Sequence, residues 1–273
     1  MNNKILEKSV KKPNPIKVSF AVAKVTFWEI IQDKLLYSSV LLAILLLAAG
    51  FLASRMTFVR PERVICDFGF SAINLCSSFV AILIGAGMIG REFDRRTILV
   101  ALARPITRLQ FLTGKFFGLV AVLLVNWCLL CSVLFCILLL SGGLDAERLY
   151  GPFFPGLGLI LIQSAVMAAI AICISTFSTT SLSVIVCIGI YLIGNNISQI
   201  RLISARIHDN TGRSVISFIS YILPDLEYFN LGSKITYNLP TTWQFVLSGT
   251  TYGLVLMLLF LLLAGYFVRN KEV

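Results

Sequence analysis

The chain has 273 residues, 58% of them hydrophobic and only 13% charged, with a mean hydropathy of +0.90. That composition excludes a soluble globular enzyme and places the chain among all-α polytopic membrane proteins. The net charge of +10 would suit nucleic acid, but the basic residues flank apolar runs instead of covering one face of a soluble fold, so no nucleic-acid partner is expected.

Residues 1 to 14, with Lys4, Lys8, Lys11 and Lys12, read as a basic tail. From Pro15 to Lys34, Ile16, Phe20, Ala23, Phe27, Ile30 and Ile31 recur at helical spacing, with Lys17, Lys24, Glu29 and Asp33 between them. This pattern predicts an amphipathic helix lying in the membrane interface, with Trp28 at headgroup level. The first long apolar run follows too late to be a cleaved signal peptide. Residues 1–34 therefore form a tail and interfacial helix, and residues 35–273 a membrane domain.

Crossing about 30 Å of hydrocarbon takes ~20 apolar residues. Six runs qualify: Leu35 to Ala53, Phe68 to Gly90, Phe116 to Leu140, Leu157 to Ser175, Leu182 to Ile200 and Phe245 to Val268. The uncharged stretch from Thr176 to Ser181 makes the fourth and fifth an antiparallel hairpin. Six spans put both termini on one side, and that side collects fifteen lysines and arginines against eight on the other. The positive-inside rule makes the richer side cytoplasmic. The expected location of such a multi-pass chain is the plasma membrane, of the bacterial inner-membrane type.

Between the second and third runs lies the basic stretch 91–115, with Arg91, Arg95, Arg96, Arg104, Arg108 and Lys115 against Glu92 and Asp94. Charge at the bilayer centre costs about 2.5 to 3.5 kcal/mol per residue, so this stretch belongs in water. Phe93, Ile98, Leu99, Leu102 and Ile106 nonetheless give it an apolar side. A short amphipathic helix fits, closed at Arg104 by Pro105, which then suits the first turn of a second helix. Residues 201–242, between the fifth and sixth runs, are long for a plain loop. Within them, Arg213 to Leu223 predict a short helix at the outer interface, and Tyr221, Tyr228, Tyr237 and Trp243 an aromatic belt.

Chemistry inside the spans is sparse. Asn74, Asn126, Gln163, Asn195 and Asn196 are neutral, and their expected role is bonding between helices. No mid-span carboxylate, histidine or lysine suggests an ion relay, which disfavours a proton-coupled carrier. No catalytic residue and no metal site is expected. His208, beside Asp209, falls in the outer segment, and Cys128, Cys131 and Cys136 on one helix lack nearby acidic or histidine partners. The seven cysteines are an odd number, and six of them lie in apolar runs, so no disulfide framework is expected. Gly114-Lys115 lacks the earlier glycine and following hydroxyl of a nucleotide-binding loop, since Leu109 and Phe116 occupy those places. Gly249 and Gly253 form a GxxxG pair, a candidate dimer contact, and Gly85, Gly87 and Gly90 thin the second span.

The order Glu92, Thr97, then Ala103-Arg104-Pro105-Ile106-Thr107-Arg108, then Gly114-Lys115 leading into a span resembles the ABC type-2 permeases, the membrane subunits of ATP-binding-cassette transporters. Arg96 departs from the glycine that many relatives carry before the threonine. The resemblance implies a non-catalytic permease whose ATPase is a separate cytoplasmic chain that holds ATP and Mg, so that this chain binds no cofactor. It also implies a homodimer or heterodimer, and a coupling helix over Glu92 to Ala103. Glu92, Phe93, Arg95, Arg96, Thr97, Leu99, Leu102, Arg104, Pro105, Arg108, Gly114 and Lys115 would then couple to the ATPase. An ion-coupled carrier, a membrane-embedded hydrolase and an assembly factor are the competing readings.

Overall fold

The computed structural model describes residues 15–56, 61–94, 107–141, 153–206, 223–232 and 243–270. Among them are eight α-helices: α1 (Pro15–Ile31), α2 (Lys34–Arg55), α3 (Pro61–Asp94), α4 (Arg108–Leu140), α5 (Phe153–Ser175), α6 (Thr180–Gly194), α7 (Ile197–Arg206) and α8 (Trp243–Asn270). One 3₁₀ turn covers Glu227–Phe229. Five of the helices are long and apolar enough to cross a membrane, and α6 with α7 makes a sixth if the bent pair is one span.

The centre of the bundle is α5, which packs against α3, α4, α6 and α8. Every residue from Gln163 to Ser175 is buried. The alanines among them keep this helix slim, and a Cβ on Gly85 of α3 would stand 3.0 Å from the Cβ of Ala171. By contrast α2 and α8 expose Leu41, Leu45, Leu52, Leu254, Val255, Leu258 and Leu262. Such a broad apolar exterior is what a lipid-facing surface requires.

The helix starts have local causes. Asp33 caps α2 by accepting from the Leu35 amide, and Thr107 with Gln110 forms a complete capping box at the head of α4. Because Thr107 is extended, the second helix begins at Arg108 and not at Pro105 as the sequence suggested. The third span is accordingly longer than its apolar run, by two turns that begin in the basic stretch.

The fifth apolar run is not one straight span: α6 and α7 meet at 69°. The break falls at Asn195 and Asn196, whose side-chain amides donate back to the Tyr191 and Leu192 carbonyls at 2.9 Å and 2.8 Å. These bonds compete with the main-chain ladder where the helix stops.

Helix α1 runs alongside the start of α4, in parallel register. A Cβ on Gly114 would stand 2.8 Å from the Ser19 carbonyl oxygen, and one on Gly118 2.8 Å from that of Ala23. The face used is small and polar, through Ser19, Val22, Ala23 and Thr26. Phe20 and Trp28 point away from the bundle, so the apolar stripe read from the sequence is divided between protein contact and the outside.

Candidate functional site: the basic end and the polar core

The ends of α3, α5 and α8 and the starts of α4 and α6 gather at one end of the bundle, here called the basic end. Phe177 meets Phe267 there at 5.3 Å between ring centroids. Glu92 and Phe93 lie in the last turn of α3, which runs on to Asp94. The coupling helix expected over Glu92 to Ala103 therefore has only its first three residues among those described, and they continue α3. Arg95, Arg96, Thr97, Leu99, Leu102, Arg104 and Pro105 lie outside the described residues, as does the rest of 95–106.

Arg108 is the first residue of α4. Gly114 and Lys115 lie inside the bundle, not on its basic surface. Gly114 is pressed against α1, and Lys115 is 4% exposed, with its Nζ donating to the Met88 carbonyl at 3.4 Å and standing 5.2 Å from the Phe111 ring centroid. These two residues brace the flanking helices against one another. Nearby, Ser175 at the end of α5 donates to the Ala86 carbonyl at 2.6 Å and accepts from the Gly90 amide at 3.0 Å.

A polar core crosses the bundle nearer its other end. Asn74 Nδ2 donates to Gln163 Oε1 at 3.1 Å, and Gln163 Nε2 donates to Asn195 Oδ1 at 3.0 Å. Asn74 Oδ1 accepts from the Tyr191 hydroxyl at 3.3 Å and from Ser78 at 3.4 Å. Three of the five span amides thus tie α3, α5 and the α6 break together. Asn196 donates back to Leu192, within the same chain segment. Asn126 does neither, because both its amide atoms are buried without a hydrogen-bond partner, as is the Ser77 hydroxyl. Gly69 packs on Leu134 and Gly85 on Leu119, an antiparallel register that brings Ser77 and Asn126 to the same level.

At the far end, residues 223–232 close over the bent span. The Leu226 amide donates to the Gly194 carbonyl at 3.1 Å, and Glu227 accepts from the Ser198 amide at 3.0 Å. Both sides of the break are therefore satisfied by one segment. Arg201 and Asp225 approach to 3.8 Å, and the Asp225 amide donates to the Tyr252 hydroxyl. Leu226, Phe229 and Leu231 are fully buried. Tyr228 stacks on Phe245 at 4.7 Å, and Trp243 is exposed, while Tyr221, Tyr237, His208 and most of Arg213 to Leu223 lie outside the described residues.

A Cβ on Gly249 would stand 3.1 Å from Leu159, and one on Gly253 would collide with Ile162, so within the chain the GxxxG pair seats α8 on α5. The matching pair that sequence reading missed is Gly114 with Gly118, which seats α1. It was hidden because Gly114 reads naturally with Lys115. Ser175 was missed because a hydroxyl at the end of an apolar run carries no signal until it is seen opposite Gly90. All seven cysteines are free thiols.

None of the curated proteins compared with the chain matches it. The family model described as ABC-2 family transporter protein matches residues 20–271, which takes in α2 to α8, the basic stretch and most of α1. The chain belongs to the ABC-2 family of transporter proteins and is a membrane permease.

Proposed function

We propose that this permease is the non-catalytic subunit of an exporter, worked through residues 91–108 by a separate cytoplasmic ATPase that holds ATP and Mg. The observation that carries the reading is the length of the two helices flanking the basic stretch. α3 has 34 residues and α4 has 33. At 1.5 Å per residue each extends about 50 Å, against about 30 Å of hydrocarbon. α4 begins eight residues before its apolar run and α3 continues four residues past its own, so both helices carry on from the apolar runs toward the basic stretch, and Lys115 with Met88 joins them inside the bundle near that end.

A motor that moves the basic stretch would move both helices together. The arginines of residues 91–108 suit acidic groups on such a motor, and Leu99 and Leu102 suit an apolar groove. The termini and the basic end are then cytoplasmic, and two permease chains, like or unlike, enclose the pathway. An ion-coupled carrier is disfavoured because the polar core of the described spans consists of neutral amides and hydroxyls, with Lys115 held near one end.

The test is ATP hydrolysis by the reconstituted chain together with the ATPase that purifies with it. The rate is expected to depend on this chain and to persist when a protonophore collapses the proton gradient. Cargo movement driven by a proton gradient without ATP would replace this reading with the carrier.

A further inference from the structure

We propose that Ser175 is the pin of a hinge in α3, and that the turn from Ala86 to Gly90 is where the end of α3 pivots when the basic stretch is moved. This proposal rests on the coupling role given to residues 91–108 above. In an α-helix the amide of residue i bonds to the carbonyl of residue i−4, so Gly90 and Ala86 are partners within α3. The Ser175 hydroxyl, 1% exposed and contributed by another helix, engages both: it donates to the Ala86 carbonyl at 2.6 Å and accepts from the Gly90 amide at 3.0 Å. A side chain placed in the ladder in this way is one of the recognised causes of a helix kink.

Three further features converge on the same turn. Gly85, Gly87 and Gly90 all fall within it or beside it, and glycine has the least resistance to a change of backbone angle. Gly90 also has no space for a side chain, because a Cβ there would collide with Thr180 Oγ1 of α6. From α4, Lys115 holds the carbonyl of Met88, in the middle of the turn. The turn is thus gripped by α4, α5 and α6 at once, and the four residues directly beyond it, 91–94, are the first of the basic stretch.

The surroundings also hold unused bonding capacity. The hydroxyls of Thr180 and Ser183 are buried and have no hydrogen-bond partner. The Gly90–Thr180 contact and the Tyr191–Asn74 bond set α6 antiparallel to α3, which places Ser183 opposite the Ala86 turn. If the Ala86–Gly90 rung opened, two donors and acceptors would stand beside it to receive the freed groups. Opening would then leave no main-chain group unsatisfied in lipid, which is the usual barrier to bending a helix there.

Two measurements test the pin. Amide exchange on the full chain in nanodiscs should show residues 87–94 exchanging about tenfold faster in Ser175→Ala than in the native chain, with residues 70–84 unchanged. Equal rates in the two proteins would overturn the proposal. On the complex with its ATPase, spin labels at Asp94→Cys and Thr179→Cys, in a background with the native cysteines replaced, report movement of the end of α3 against the α5–α6 turn. The nucleotide-driven change in that distance should fall by about half or more in Ser175→Ala. It should fall equally in Gly90→Ala combined with Thr180→Ala, which stiffens the turn while removing the colliding oxygen. An unchanged distance response in both variants would also overturn the pin. Binding of the ATPase is measured on the same samples: its absence from the native chain sinks the coupling reading, and the pin then stands or falls on the exchange result.

Discussion

Lys115 on α4 and Met88 on α3 are joined by a bond from a buried ammonium to a main-chain carbonyl, at 3.4 Å. The long apolar stem fills space between the helices, and the charged tip has been taken out of water to reach a carbonyl. A buried charge of this kind adds little net stability, because its desolvation offsets much of the attraction. Lys115→Met should therefore change stability by no more than about 1 kcal/mol. Lys115→Glu, which sets a carboxylate against the same carbonyl, should lose several kcal/mol. Thermal unfolding in detergent checks both, and equal losses would contradict the bracing role.

The polar core predicts opposite signs for two amides of similar size. Gln163→Leu removes two bonds between helices and leaves Asn74 Nδ2 and Asn195 Oδ1 short of a partner, at a cost of about 1–3 kcal/mol. Asn126→Leu removes two buried atoms that have no partner, and should stabilise the chain by about 1–2 kcal/mol. Paired melting curves decide the matter.

Glycine substitutions separate packing from propensity. Gly253→Ala drives a methyl into Ile162 and should cost about 1–3 kcal/mol, while any association between chains stays as it was. A methyl group on Gly158 would meet nothing within 4 Å, so Gly158→Ala should gain about 0.5–1 kcal/mol from helix propensity alone. Melting temperature and sizing in detergent give both readouts.

The far end should respond to pH. Burial pushes the Asp225 carboxyl above the ordinary carboxylate range; the guanidinium of Arg201 opposes this without cancelling it, and Glu227 adds to the rise. The folded state therefore holds this proton more tightly than the unfolded chain does. Asp225's contribution to stability is complete below the ordinary carboxylate value and is lost as pH rises through the raised one. Asp225→Asn should flatten that slope, with a change at neutral pH of no more than about 1 kcal/mol in either direction, because the ion pair is partly exposed. Unfolding followed from acid to neutral pH checks the sign.

Much of this architecture was legible because a bilayer imposes length and composition on whatever crosses it. All six apolar runs from Leu35 to Val268 became helices, and Thr176 to Thr179 became the turn between α5 and α6. What escaped were features set by one helix meeting another. The bend at Asn195 depends on side chains turning back on their own backbone, and an apolar run containing two asparagines does not announce it. Gly249 with Gly253 and Gly114 with Gly118 carry the same spacing signal, and only the neighbours show that both seat helices of this chain. Of the basic stretch, the motif residues Gly114 and Lys115 turned out to brace the helices from within.

The central claim is that an external ATPase grips the basic stretch. Its most direct test is recovery of the ATPase with the tagged full chain, comparing the native protein with Leu99→Asp and Leu102→Asp at equal membrane expression. The account predicts that the native chain brings down an ATP-hydrolysing partner and that either substitution lowers recovery about tenfold or more, as loss of an apolar anchor does. Recovery of the partner at native levels by both variants would contradict it.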